Sequence, residues 1–442
     1  MRVRSLLTVA VAVTLAATTA AACKSSGNSG GGGGSDTAAP TGGTSATGGG
    51  NTSSGGGKTL TIATDLPLQG SNKDTNDATN KLIQLYIDQQ GGKAGNFKVK
   101  LKIYDDSTAA AGSWDEATCT KNANAHVTNT NEVAVMGTYN SGCAKLEVPI
   151  LNQAQDPMLM VSDANTNPGL TKSWDPGEPD KYYPTGKRNY ARVVTTDDYQ
   201  GSAAADFASQ DLKVKKCYIV NDNSTYGQGV ARSFEASAKK DGITILGNEA
   251  WDSKQPNYTA LFTKIKAKNP DCLYIGGTYD LNGGQLVKDK FSVLGDNTKV
   301  KMIGPDGFTG YPQLDKQPQS QGMYLTFAGL ASEQLTKQAG AGAKLLAAYK
   351  AKYGALPVGN YPLYGVAATQ VIMAAIAKSD GTRGSILSQV FSGEGVSIAA
   401  ADSVLGKELH IDPKTGDVNA KDVSVLVMKK NVETFLKAQS VK

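Results

Sequence analysis

The chain reads as an α/β protein whose parallel sheets are doubly wound and divided between two lobes. Three observations predict this. Short apolar runs of strand character alternate with amphipathic helical segments through most of the chain, and serial βα units require a parallel sheet covered by helices on both faces. The alternation restarts near residue 200. Setting aside a low-complexity N-terminal segment leaves about 385 of the 442 residues, enough for two domains of ordinary size. One sheet with so many strands would be unusual, so two sheets in two lobes is the economical arrangement.

Thr59–Ala63 reads as the first strand. The helix Ala78–Gln90 follows, with Leu82, Leu85 and Tyr86 on one face and Gly91-Gly92 to end it. Strands at Val99–Tyr104, Val133–Met136 and Met158–Val161 then alternate with helices at Trp114–Val127 and Leu146–Gln153. Lys98, Lys100 and Lys102 interleave with Val99, Leu101 and Ile103, the wet face of a half-buried strand rather than a nucleic-acid patch. After the restart, helices are expected at Ser202–Gln210, Val230–Lys240, Tyr258–Lys268 and Gln285–Leu294. The strands between them are Cys217–Val220, Ile243–Asn248, Cys272–Ile275, Val300–Ile303 and Met323–Phe327. The chain then turns helical at Ala341–Tyr353 and Leu363–Lys378. A final hairpin is expected from Leu409–Ile411 and Val423–Met428, joined through the turn formers Asp412-Pro-Lys-Thr-Gly-Asp417. That string lacks the alternating acids and terminal glutamate of a calcium loop.

Residues 1–22 have the form of an export signal: Arg2 and Arg4, an apolar run from Leu6 to Ala22, then small residues leading into Cys23. Cys23 is the candidate lipid-bearing residue, although Ala20 stands where a lipoprotein signal usually carries leucine. Residues 23–57 are almost entirely Gly, Ser, Thr, Ala and Asn, too poor in apolar surface to fold. As a flexible coil such a linker spans about 30 Å, a tether for an anchored protein. Without Arg2 and Arg4 the formal charge of +5 falls close to balance. Besides Cys23 there are four cysteines, which an oxidising compartment would pair in one of three ways. Cys119 with Cys143 and Cys217 with Cys272 is preferred. The first pair flanks one strand, and each member of the second opens a strand within one βαβαβ run. With two histidines and no CxxC, neither a zinc site nor a cofactor is expected.

Several fragments, in order, carry a resemblance. They are Leu60-Thr-Ile-Ala-Thr-Asp-Leu-Pro-Leu-Gln-Gly70, Ile103-Tyr-Asp-Asp106, Pro157-Met-Leu-Met-Val-Ser162 and Asp163-Ala-Asn-Thr166. Tyr190-Ala-Arg-Val-Val-Thr-Thr-Asp197, Gln200-Gly201, Tyr226-Gly-Gln-Gly229, Asp271-Cys-Leu-Tyr-Ile-Gly-Gly277 and Ile303-Gly-Pro-Asp-Gly307 complete the series. Together they resemble the solute-binding lipoproteins of branched-chain amino-acid ABC transporters, the leucine/isoleucine/valine-binding kind of type I periplasmic-binding protein. The resemblance implies two lobes joined by three crossing strands and closing on a ligand. Lobe one would be residues 58–192 plus 328–411, and lobe two 193–327 plus 412–442.

An amino acid presents a carboxylate, an ammonium and a side chain, and such ligands sit beyond the carboxyl ends of the strands. In Tyr139-Asn-Ser-Gly-Cys-Ala144, which resembles the carboxylate-gripping loop of the family, Ser141, Gly142 and Ala144 are the expected donors, the last two through backbone N–H. Ala164 would offer its carbonyl, and Thr166 its hydroxyl and N–H. From lobe two, Asp306 would meet the ammonium, with Tyr226 and Tyr279 shaping the wall. Three departures bear on the ligand. The early aromatic of the family falls near Thr75, its serine after Cys143 is Ala144, and its longer glutamate is Asp306. The segment Trp174–Tyr190, which includes Tyr182 and Tyr183, is an elaboration on one lobe.

The expected function is capture of an amino acid or related small solute for an ABC permease by a lipid-anchored monomer, with no nucleic-acid partner. The alternative is a lipoprotein that senses an amide, urea-like or peptide solute. Enzyme motifs do not occur: there is no Gly-x-Ser-x-Gly, His-Glu-x-x-His or phosphate-binding loop, and His126 and His410 read as structural.

Overall fold

A computed structural model describes residues 57–439. The signal, Cys23 and the linker as far as residue 56 lie outside the described residues. The first sheet has six strands in the order Lys93–Ala94, Phe97–Asp105, Thr59–Leu66, Glu132–Gly137, Leu159–Ser162 and Tyr190–Arg192. All neighbours run parallel except the short antiparallel pair at the Lys93–Ala94 edge. Glu132–Gly137 and Leu159–Ser162 are buried along their whole length, as strands covered on both faces must be. Nearer the edge, Phe97 and Val99 point inward while Lys98, Lys100 and Lys102 are exposed, the wet face expected from their spacing.

Helices Lys73–Gln89, Glu116–Thr128 and Ser141–Asn152 follow strands of this sheet in turn. The distant helix Tyr361–Lys378 joins them, packing on Lys73–Gln89 and on the two fully buried strands. It is apolar nearly all round and buried from Tyr361 through Met373, the pattern of a helix enclosed by protein. None of the described helices is long and apolar enough to cross a membrane.

The second sheet has seven strands in the order Thr244–Ala250, Lys216–Asn221, Cys272–Gly276, Lys301–Gly304, Tyr324–Phe327, Val423–Lys429 and Val432–Gln439. The first five are parallel and the last two antiparallel. The chain passes between the lobes after Arg192, after Phe327 and between Ile411 and Val423. Two disulfides are present. Cys119–Cys143 ties helix Glu116–Thr128 to helix Ser141–Asn152, and Cys217–Cys272 joins neighbouring strands at facing positions.

One expected element is corrected. Leu409–Ile411 pairs with Val396–Ile398 in lobe one, not with Val423–Lys429, which lies between Tyr324–Phe327 and Val432–Gln439 in lobe two. The turn-forming string Asp412–Asp417 does not fold the chain back into a hairpin; it carries it across to the other lobe. Its Gly416, at φ +82°, lies so close to the Tyr190 carbonyl that a Cβ would come within 2.2 Å of the oxygen. Several helices also begin earlier than their apolar periodicity suggested. Ser141–Asn152 starts five residues before Leu146, in a first turn of small residues. Thr225–Lys240 starts at a Ser224 cap that accepts from Gly227 N–H at 2.9 Å.

Candidate functional site

Loops at the carboxyl ends of the strands of both sheets converge on one narrow cavity. Lobe one supplies Tyr139, Asn140 and Ser141 after strand Glu132–Gly137, Ala164 after Leu159–Ser162, and Tyr361 from the first turn of the buried helix. Lobe two supplies Tyr226, Thr278, Asp306 and Gly307.

The lobe-one wall is held in place from behind. Asn165 Nδ2 donates to the carbonyls of Thr138 (2.8 Å) and Tyr139 (2.9 Å), and Ser162 Oγ donates to Thr138 O at 2.9 Å. Helix Ser141–Asn152 therefore aims its N-terminus at the cavity. The side chain of Asn140 at its cap position makes no capping bond, so the first-turn N–H groups keep their capacity for an anion. Asn140 Oδ1 and the Tyr139 hydroxyl are buried on the cavity wall without hydrogen-bond partners among the described residues.

The opposite wall centres on Asp306. Its carboxylate accepts from Gln200 Nε2 (2.6 Å), Tyr226 Oη (2.5 Å) and Tyr361 Oη, and its N–H donates to Gln200 Oε1 at 3.1 Å. A carboxylate has about four acceptor positions, so three are taken and one remains. Burial raises the pKa of Asp306, opposed by these hydrogen bonds. Asp197 is pushed far higher, first by burial and then by the Asp306 charge. Three donated hydrogen bonds favour the charged form of Asp306.

The structure sorts the residues singled out from the sequence. Ser141, Ala164, Tyr226 and Asp306 line the cavity. Gly142, Ala144, Thr166 and Tyr279 do not. Gly142, expected to act through its backbone N–H, stands in the uncapped first turn beside Ser141, and a Cβ on it would come within 2.5 Å of the Trp114 ring. The Ala144 N–H is spent inside the helix on Asn140 O at 3.2 Å, and its methyl is in the core. Thr166 is turned to Asp197, whose N–H donates to its carbonyl at 2.8 Å. Tyr279 packs against Phe308 and Tyr311 behind the wall. Tyr361, Thr278 and Gln200 belong to the site and were not named for it. Gln200 stood within a recognised fragment, whereas Tyr361 lies in a helix whose sequence reads only as core.

The periplasmic binding protein family model matches residues 59–402. The chain belongs to the periplasmic binding protein family. Among its relatives, a Leu/Ile/Val-binding protein of Rhizobium johnstonii is 29% identical over 354 residues, covering 75% of this chain and 90% of that one. The leucine-binding protein of Thermotoga maritima superposes with a TM-score of 0.69 at 21% identity, covering 86% of this chain and 98% of that one. A Rhodopseudomonas palustris solute-binding protein of an ABC transporter, in complex with p-hydroxybenzoic acid, reaches a TM-score of 0.71 at 16% identity, covering 86% and 97%. Family and fold are those of exported solute-binding proteins.

In this periplasmic binding protein the lobes touch across the cleft. Thr75, at the position of the family's early aromatic, donates from Oγ1 to Gly310 O at 2.7 Å. Asn72 Nδ2 reaches Asp280 Oδ2 at 3.3 Å, and Asn167 Nδ2 reaches Thr225 O at 3.2 Å. With Tyr361 bonded to Asp306, these contacts define a closed arrangement.

Proposed function

We propose that this protein captures an amino acid, with branched-chain amino acids the leading class, and hands it to an ABC permease. The chain would be held as a monomer at the outer face of the membrane through acylated Cys23, with lobes of 58–192 plus 328–411 and 193–327 plus 412–442. One observation carries the reading. An uncapped helix N-terminus from one lobe faces, across the cavity, a buried carboxylate with one acceptor position left on the other. Those two poles suit the carboxylate and ammonium of one zwitterion. Tyr139, Tyr226 and Tyr361 supply apolar ring faces around it. No chemical step is asked of these residues.

The relative from Rhizobium johnstonii is named for leucine, isoleucine and valine, and this supports the class. The neighbour from Rhodopseudomonas palustris holds an aromatic acid on the same fold, a reminder that fold alone does not choose the ligand. The test is calorimetry of leucine, isoleucine, valine, small amides, urea, short peptides and p-hydroxybenzoate against the native chain and Asp306→Asn. Branched-chain amino acids should bind the native chain. The variant should lose about 2–5 kcal/mol, a drop of at least ~30-fold, because a buried charge pair is broken. Binding confined to solutes without an amino group, with Asp306→Asn unaffected, would overturn the reading.

A further inference from the structure

Lobe one contains a second convergence of polar groups, none of which lines the solute cavity. Asp65 closes strand Thr59–Leu66, His126 lies on helix Glu116–Thr128 and Glu147 on helix Ser141–Asn152. All three are fully buried, and one ligand atom from each lies within 4.8 Å of the other two. His126 Nδ1 is 2.8 Å from Glu132 Oε2, and its Nε2 is 3.1 Å from Asp65 Oδ2. The other Asp65 oxygen accepts from Asn122 Nδ2 at 3.0 Å.

Glu147 is the anomaly. Its Oε2 is buried with no donor group among the described residues, and the side chain lies against the Asp65 carboxyl. Its Oε1 faces Cys143 Sγ at 3.4 Å, a disulfide sulfur with no proton to donate. Leaving such a group unsatisfied in the interior costs several kcal/mol.

We infer that Asp65, His126 Nε2 and Glu147 form a three-ligand site for a buried divalent ion of the zinc class. Glu132 occupies the supporting position: a carboxylate accepting from Nδ1–H fixes the imidazole tautomer and turns the Nε2 lone pair toward the ion. Tetrahedral bonds of 2.0–2.2 Å place neighbouring ligand atoms about 3.3 Å apart, and the His126–Asp65 separation is 3.1 Å. The ion offsets Asp65 and Glu147, and Lys102, 2.9 Å from Glu132, offsets that acid. A donor set of imidazole and two carboxylates selects zinc over the all-oxygen preferences of calcium and magnesium. The ion would fasten helix Ser141–Asn152, whose first turn forms the cavity wall, to the central strand and to helix Glu116–Thr128. The Cys119–Cys143 disulfide already joins the two helices.

The site is enclosed, so loading belongs to folding. The full chain is unfolded in denaturant with a chelator and refolded with Zn2+, Mn2+, Ca2+ or chelator alone. Free ion is then removed and bound metal is counted by mass spectrometry. About one equivalent of Zn2+ is expected, together with a melting temperature above that of the chelator sample. Glu147→Gln and His126→Gln should lose stoichiometric uptake, while His410→Gln, which alters the other histidine, retains it. Should either variant fail to refold, Co2+ in the native chain gives the readout, with intense visible bands of a four-coordinate nitrogen/oxygen site expected. A natively refolded chain that retains under about 0.1 equivalent of Zn2+ overturns the site. So does full uptake by both ligand variants, or loaded Co2+ with only weak octahedral bands. None of these outcomes bears on solute capture, because the cluster and the cavity share no lining residue.

Discussion

Glu178 shows how one side chain anchors the inserted segment. It accepts from Lys145 Nζ (2.8 Å), Tyr182 Oη (2.6 Å) and Asp175 N–H (3.1 Å). Burial works to raise its pKa, but Lys145 and Tyr182 prevail and hold it at about 2, below the usual 4.5. A carboxyl lowered on folding contributes stability above its unfolded value, and the contribution is lost as pH falls through the folded one. Loss between about pH 5 and 2 is therefore expected. Glu178→Gln should be less stable than the native chain at pH 7 and should lose less on going from pH 5 to 3, as urea titrations at each pH will show. Asp306 follows the opposite rule, raised by burial, because its partners are neutral hydroxyls and an amide rather than a lysine. Both acids were legible as residues. Which one meets a cation is set by neighbours 33 and 106 positions away in the chain.

Among elements, the segment Trp174–Tyr190 gains a role from what it touches. It is held to lobe one through Glu178 and through Tyr183 Oη, which donates to Leu170 O at 2.5 Å. From there Asp175 reaches Arg232 of lobe two at 2.7 Å, and Arg232 lies over the Trp174 ring at 4.3 Å. Both charged side chains are substantially exposed, at 49% and 42%, so the ion pair is worth at most ~1 kcal/mol and the ring contact a similar amount. Arg232→Ala should weaken solute affinity by about 2–10-fold through loss of this latch. It should leave the melting temperature of the unliganded chain nearly unchanged, with calorimetry and thermal denaturation as the paired measurements. Helix Ser141–Asn152 marks the limit of reading elements from sequence. Its apolar repeat begins at Leu146, but the turn that matters for the ligand is Ser-Gly-Cys-Ala, which has no repeat to find.

For the whole molecule, closure is an equilibrium between arrangements of two lobes, and a solute shifts it only by binding the closed one better. The three crossings must bend without coming apart, and Arg192 binds them together. Fully buried, it donates from Nε to Asp417 Oδ1 (2.8 Å), from one terminal nitrogen to the carbonyls of Asn165 and Asn167 (each 2.8 Å), and from the other to Thr171 Oγ1. Its own N–H donates to Gly416 O at 2.9 Å, and Thr195 N–H donates to Ala328 O at 3.2 Å, linking all three crossing segments. Arg192→Ala leaves these acceptors facing an empty interior and should cost about 3–5 kcal/mol of unfolding free energy by urea titration. Arg192→Lys should recover little, because an ammonium cannot reproduce the planar fork.

The sequence by itself determined the α/β class, the two-lobe organisation, the family and the positions of most strands. Each of these is written in local periodicity, in turn residues or in the order of short fragments, and those survive without knowledge of tertiary neighbours. Only the tertiary structure decided that Leu409–Ile411 pairs with Val396–Ile398 and Val423–Lys429 with Tyr324–Phe327, since any two short apolar strands joined by turn formers look alike as a hairpin. It also decided that Tyr361 closes the cavity while Tyr279 and Ala144 stand behind it, and that Asp65, His126 and Glu147 meet. Which way a side chain faces, and which distant acid it meets, follows from how helices settle on a sheet, and that packing is a property of the assembled chain.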